Sequence, residues 1–160
     1  MKWLWITLGI VFVVCCGGGS LIGYIVYNNA KGVSDDAGKF GDASITAICT
    51  NWDANALNAR AAPELLDQNP EGTLEKVVDT LRNSLGPMKS FTSHITNLNA
   101  KTENGQSWVE VQMVANGQFE KGPGEIELTL LKRGDKWSIL KFYGGPEGSK
   151  KPASSSSSSE

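Results

Sequence analysis

One apolar run, Trp3 to Tyr27, constrains this chain more than any other feature. It reads WLWITLGIVFVVCCGGGSLIGYIVY and carries no ionisable side chain apart from two cysteines and two tyrosines. At about 1.5 Å of rise per residue, a helix of that length crosses a hydrocarbon core of roughly 30 Å with some tilt. Trp3 and Trp5 at one end and Tyr24 and Tyr27 at the other match the aromatic preference of the two bilayer interfaces. The expected organisation is a transmembrane signal anchor over 1–27, a juxtamembrane linker over 28–35, one folded domain over 36–144 and a disordered Ser-rich tail over 145–160.

Two other readings of the run compete with the anchor. A cleaved signal peptide would use Lys2, the apolar stretch to Val14 and the small residues around Gly17 and Gly19. It would leave Leu21 to Tyr27 as an apolar N-terminus needing cover elsewhere. A lipoprotein would carry its lipid on Cys15 or Cys16, but Val14 and Cys15 are not the small residues such processing prefers. The length of the span favours the anchor. Lys2 set against Lys31 and Lys39 does not decide orientation by charge. The very short leading tail, like that of a signal anchor, favours a single-pass membrane protein with its domain on the extracytoplasmic side, a cytoplasmic domain being the alternative. Within the span Cys15, Gly19 and Gly23 recur every four residues, and Gly19 to Gly23 forms a GxxxG pattern through which two helices could pair as a homodimer. The ordinary abundance of small residues in membrane helices accounts for the same pattern.

The remainder is long enough to bury one core. A formal net charge of −2 argues against a broad basic face, so no nucleic-acid partner is expected. Cys49 is the one cysteine outside the apolar run, which excludes a disulfide within the domain. Ile45, Ile48, Cys49, Trp52 and Ala56 fall on one face of a helix predicted from Asp36 to Arg60, and a thiol on that face is expected to be buried and inert. Asp53 beside Trp52 is expected at the solvated edge of the same face. Pro63 and Glu64 open a short helical turn. Leu74, Val77, Val78, Leu81 and Leu85 predict a further helix that Gly86-Pro87 stops.

After Pro87 the period changes to two. Lys89 to Ala100, with Phe91 and Ile95 on one side, reads as a strand leading to a hairpin turn at Asn104-Gly105. Val109, Val111, Met113 and Ala115, then Ile126, Leu128 and Leu130, mark the dry faces of two more strands. Asn116-Gly117 is read as a bulge within one long strand, and Gly134-Asp135 as the turn into a last strand over Lys136–Tyr143. Every connection is too short for a parallel crossover, so the four strands form an antiparallel meander. His94 is the single histidine and stands among Thr92, Ser93 and Thr96; no Cys, His or carboxylate cluster surrounds it, and neither a metal nor a cofactor is expected.

Helix, short helix, helix and four antiparallel strands make an α+β domain with helices packed on a curved sheet. This order resembles the nuclear transport factor two-like, cystatin-like superfamily, and within it the small membrane-anchored bacterial domains of unknown function. The resemblance covers about Asp36 to Gly144 and rests on the order of elements, Asn51-Trp52-Asp53 before Ala62-Pro63-Glu64-Leu65, the Leu85-Gly86-Pro87 stop and the closing Gly134-Asp135-Lys136-Trp137-Ser138-Ile139. It implies a cone whose cavity lies between sheet and first helix, sometimes binding a small apolar ligand and in a minority carrying acid–base chemistry. Trp52, Asp53, Trp108, Phe119 and Tyr143 are the pocket candidates, with Tyr143 and Asp53 as a conceivable acid–base pair. The inward strand positions are apolar, however, so no catalytic residue is assigned. The expected function is that of a non-catalytic binding or interaction module of the cell envelope, with the lipid bilayer and an envelope protein or peptide as partners. A small-apolar-ligand binder or isomerase-type enzyme is the alternative.

Overall fold

The computed structural model describes residues 32–103 and 106–149. The run Trp3–Tyr27, with Cys15, Cys16, Gly19 and Gly23, lies outside the described residues, as do Asn104-Gly105 and the tail from 150 onward. Among the described residues no helix is long and apolar enough to cross a membrane. The chain divides into two units, Met1–Asp36 and Ala37–Glu160. The first contributes to the description only residues 32–36, which are helical. The second is the folded α+β domain.

Its first helix, α1, occupies described residues 32–49, so part of the stretch expected as linker is helical. No proline interrupts it, and each of its glycines, Gly32, Gly38 and Gly41, costs at most about 1 kcal/mol. The helix predicted to run on to Arg60 instead ends at Cys49, and a separate short helix, α2, follows at Ala54–Asn58. Two side chains make that break. Trp52 adopts φ +54°, a left-handed backbone that no continuous α-helix contains. Asp53 is solvent-exposed as expected and is also the N-cap of α2, accepting from the Asn55 and Ala56 amides at 2.9 and 3.3 Å. The left-handed turn aims the Trp52 indole inward, where Nε1 donates to the Gly86 carbonyl at 2.7 Å. Arg82 donates in turn to the Trp52 carbonyl at 2.6 Å.

Helix α3, Pro63–Gln68, begins on its proline as predicted, with Glu64 in the first turn. Helix α4, Thr73–Leu85, buries Leu74, Val78, Leu81 and Leu85 and stops at Gly86, whose φ is +71°. Four strands then pair in the order β1-β2-β3-β4, every pair antiparallel: β1 Met88–Glu103, β2 Gln106–Phe119, β3 Gly122–Arg133 and β4 Lys136–Pro146. The meander therefore stands as read. Asn116 and Gly117 do lie inside one long strand, but no bulge falls there: they pair in regular register with Glu125 and Gly124. The register shifts are on β1, at Met88/Ser90 and Ile95/Asn97, and on the β3–β4 ladder at Thr129/Leu130. Strand β4 also runs past the expected domain end at Gly144, because Gly145 and Pro146 still pair with Glu125 and Gly124.

The dry faces predicted from alternation form the core. Val111, Met113, Ala115, Phe119, Ile126, Leu128 and Leu130 are all buried, together with Ile45, Ile48 and Cys49 of α1. Glycines set how closely the layers approach. A Cβ on Gly41 would overlap Met113 Sδ and lie 3.4 Å from Leu130 Cδ1, so the backbone of α1 rests on the Met113 and Leu130 side chains of β2 and β3. A Cβ on Gly124 would lie 2.7 Å from Leu85 and 3.0 Å from Phe119, so the inner sheet surface is cut away there to seat α4 and the Phe119 ring.

Candidate functional site

The five residues expected to share a pocket are dispersed. Trp52 and Phe119 do meet, as stacked rings with centroids 5.8 Å apart, but inside the packed core. Asp53 caps α2. Trp108 and Phe119 lie near opposite ends of β2, up to about 36 Å apart along an extended strand. They also differ in parity, so Trp108 belongs to the second face of the sheet. Tyr143 lines a groove of about 390 Å³ between α4 and β4, whose walls include Val77, Leu81 and Phe142 but not Asp53. The conceivable pairing of Tyr143 with Asp53 is therefore withdrawn. Cys49 is buried, and burial pushes its thiol up to about 12, where no nucleophilic thiolate forms at neutral pH. His94 is exposed on β1. Among the described residues no three His, Cys, Asp or Glu side chains converge as metal ligands.

The best-furnished site lies elsewhere, on the second face of the sheet beside α3. The Arg60–Ala62 segment aligns with β4: Ile139 donates to the Arg60 carbonyl and Ala62 donates to that of Ile139, both at 2.7 Å. This pairing places α3 next to β4, with Glu64 and Gln68 over a pocket of about 230 Å³. Leu131 and Leu140 give the pocket its apolar lining, and Trp108, Glu110, Arg133 and Lys141 complete it. The β3–β4 register shift makes Leu140 the extra residue between the Leu130–Ile139 and Thr129–Lys141 pairs. Such a bulge re-aims side chains, which is how two consecutive residues, Leu140 and Lys141, both reach one pocket.

Most of the charges here are committed. Lys101 donates to both carboxylate oxygens of Glu110 at 3.1 and 3.0 Å, and Trp108 Nε1 donates to Glu110 Oε1 at 3.2 Å. Arg133 pairs with Glu64 through Oε1. Hydrogen bonds from its own backbone amide and from Arg133 hold the Glu64 carboxyl below its ordinary range, so it is ionised at neutral pH. Its other oxygen, Oε2, is buried and accepts no hydrogen bond among the described residues. Lys141 likewise has no ion pair among them.

Of this site the sequence reading names Trp108 and, as a helix opener, Glu64. The missed signal is the doublets Leu130-Leu131 and Ile139-Leu140, which break strict alternation. They place an apolar residue on the face otherwise expected to be wet, and Leu131 is buried there at 2% exposure.

No protein-family model matches this chain, and no curated protein is similar to it at a significant level.

Proposed function

We propose that this chain is a non-catalytic binding module carried on an N-terminal membrane anchor, with the outer-face pocket beside α3 as its binding surface. The single observation that carries the reading is the contact of α1 with the sheet. With Gly41 against the Met113 and Leu130 side chains, α1 packs closely on the inner face of the sheet, which supports a filled core in place of an open cone. Binding is left to the outside of the domain, where the α3 pocket joins an apolar floor to polar groups. The uninterrupted apolar run of 25 residues supports the anchor, and a domain tethered by it meets partners at the membrane surface. Helices followed by a four-stranded meander support membership of the nuclear transport factor two-like, cystatin-like superfamily, with a curved sheet.

A second reading, an apolar-ligand binder, draws on the α4–β4 groove lined by Val77, Leu81 and Phe142. One experiment separates the two. A photo-crosslinking amino acid is introduced into the full chain in native membranes at Gln68 beside the pocket, at Thr80 in the groove, or at Ser90 on β1. Capture of one defined species from Gln68, absent from the other two positions, is the expected result. Capture from Thr80 instead transfers the function to the groove, and equal labelling at all three positions removes the binding-module reading.

A further inference from the structure

We infer that the end of the domain at which α1 enters lies on the headgroup layer of a lipid bilayer, meeting it through Leu98, Val109 and Trp137 and through Lys132 and Lys136. The inference rests on the reading of Trp3–Tyr27 as a membrane anchor and adds which surface the tethered domain turns towards the lipid. Sheet register places the patch. Ala100, Val109, Lys132 and Trp137 pair in one row across all four strands, beside the β3–β4 turn. The row lies on the inner face, since Phe40 of α1 stacks on Trp137 with centroids 6.4 Å apart. In the next row inward Val111, Leu130 and Ile139 are fully buried, but Leu98, its member on β1, is 38% exposed. The end row is open too: Ala100 is exposed, and Val109, Lys132 and Trp137 are only half-buried. At about 4.8 Å between strands, this end presents a largely apolar strip about 14 Å wide.

The size of the strip and its place in the chain select a bilayer over a protein partner. With rows about 7 Å apart, the strip offers on the order of 100–200 Å², far below the roughly 800 Å² per partner of a stable protein interface. So small a contact holds only where the domain is already tethered beside its partner, because tethering raises the effective concentration. The tether is short. Ten steps of chain join Tyr27 to Ala37, about 15 Å as helix and at most about 36 Å extended. Ala37 is buried one helical turn before Phe40, so the chain joins the domain at this end, whereas Glu120 in the β2–β3 turn lies up to about 37 Å further along β2. The chemistry agrees with a headgroup layer. Lys132 Nζ lies 5.5 Å from the centroid of the Trp137 ring, and rings and long cationic side chains together are what bilayer interfaces accept. Neither Lys132 nor Lys136 forms an ion pair among the described residues, which leaves both for lipid phosphates. At the opposite end of the sheet, Trp52 and Phe119 are buried.

The proposal is tested with the full chain reconstituted in vesicles of phosphatidylcholine and phosphatidylglycerol that carry a nitroxide on some of the lipid headgroups. A genetically encoded fluorescent amino acid is placed at Thr102, beside the strip, or at Glu120, at the far turn; both positions are exposed. Quenching at Thr102 is expected to exceed that at Glu120 severalfold. The double variant Leu98→Asp, Lys136→Glu changes two exposed side chains and should bring Thr102 quenching down towards the Glu120 value. Equal quenching at the two positions, or Thr102 quenching unchanged in the double variant, overturns the proposal. Flotation after alkaline extraction keeps the two ideas apart: a chain that stays with the vesicles but is quenched equally at both positions removes the docked end alone, and a chain that leaves the vesicles removes the anchor as well.

Discussion

Gly41 shows how far one residue can set the geometry of a layer. Its backbone is the contact point between α1 and the sheet, and any side chain there must displace Met113 or lift the helix. The Met113 thioether is flexible enough to absorb one methyl group in part, but not a branched side chain. Gly41→Val is therefore expected to lower stability by about 1–3 kcal/mol, the usual range for an overpacked core. Chemical denaturation followed by circular dichroism measures this, and an unchanged midpoint would mean that α1 does not rest on Met113. Trp52 illustrates a different effect. A non-glycine residue in the left-handed region costs roughly 1–2 kcal/mol, here offset by full burial of the indole and its hydrogen bond to Gly86. The indole thereby ties the end of α1 to the end of α4 across 34 residues of chain.

At the scale of elements, the loop between α1 and α2 joins strain and capping. Helix α2 is five residues long, too short to persist on its own propensity. Asp53 satisfies two of its free amides, so Asp53→Ala should cost about 1 kcal/mol. The loss should show in the denaturation midpoint together with faster amide exchange at Asn55 and Ala56; protection unchanged at those amides would count against the cap. The helical period of Ile45, Ile48, Cys49 and Trp52 carries straight through this break, and all four are buried. Periodicity reports which face is dry. It does not report whether the backbone bends between two dry residues, since a turned tryptophan reaches the same core as a helical one. The strands are more legible, because alternation and the Gly134-Asp135 turn together indicate the pairing, although the register shifts at Ile95/Asn97 and Thr129/Leu130 leave no such local mark.

For the whole molecule, the junction of α3 with the second face of the sheet is the feature on which the proposed function turns, and it has a pH signature. The Glu64 carboxyl sits below its ordinary 4.5 in the folded state. A group with a depressed folded value contributes stability above its unfolded pKa and loses that contribution as pH falls through the folded value. Glu64→Gln should thus be less stable than the parent at neutral pH, by no more than about 1 kcal/mol for a partly exposed pair. The gap should close as pH falls from about 6 to about 3. Thermal melts of the two proteins across that range measure it; a gap independent of pH would mean that Glu64 acts through packing and not through charge.

The sequence by itself determined the apolar run and its length, the two amphipathic helical faces, the opening of α3 on Pro63, the stop at Gly86 and the four-strand meander. Each of these follows from local spacing and from residues with restricted backbones, which act within a few positions of themselves. Tertiary structure alone decided that Trp52 breaks the first helix, that Gly41 closes the space beneath it, and that Glu64, Leu131, Leu140 and Lys141 share one pocket. Those four residues come from three elements up to 77 positions apart. Pairing of Ile139 with the Arg60–Ala62 segment and the extra residue at Leu140 bring them together. No local pattern encodes that meeting, because it depends on how two distant stretches of backbone share their hydrogen bonds.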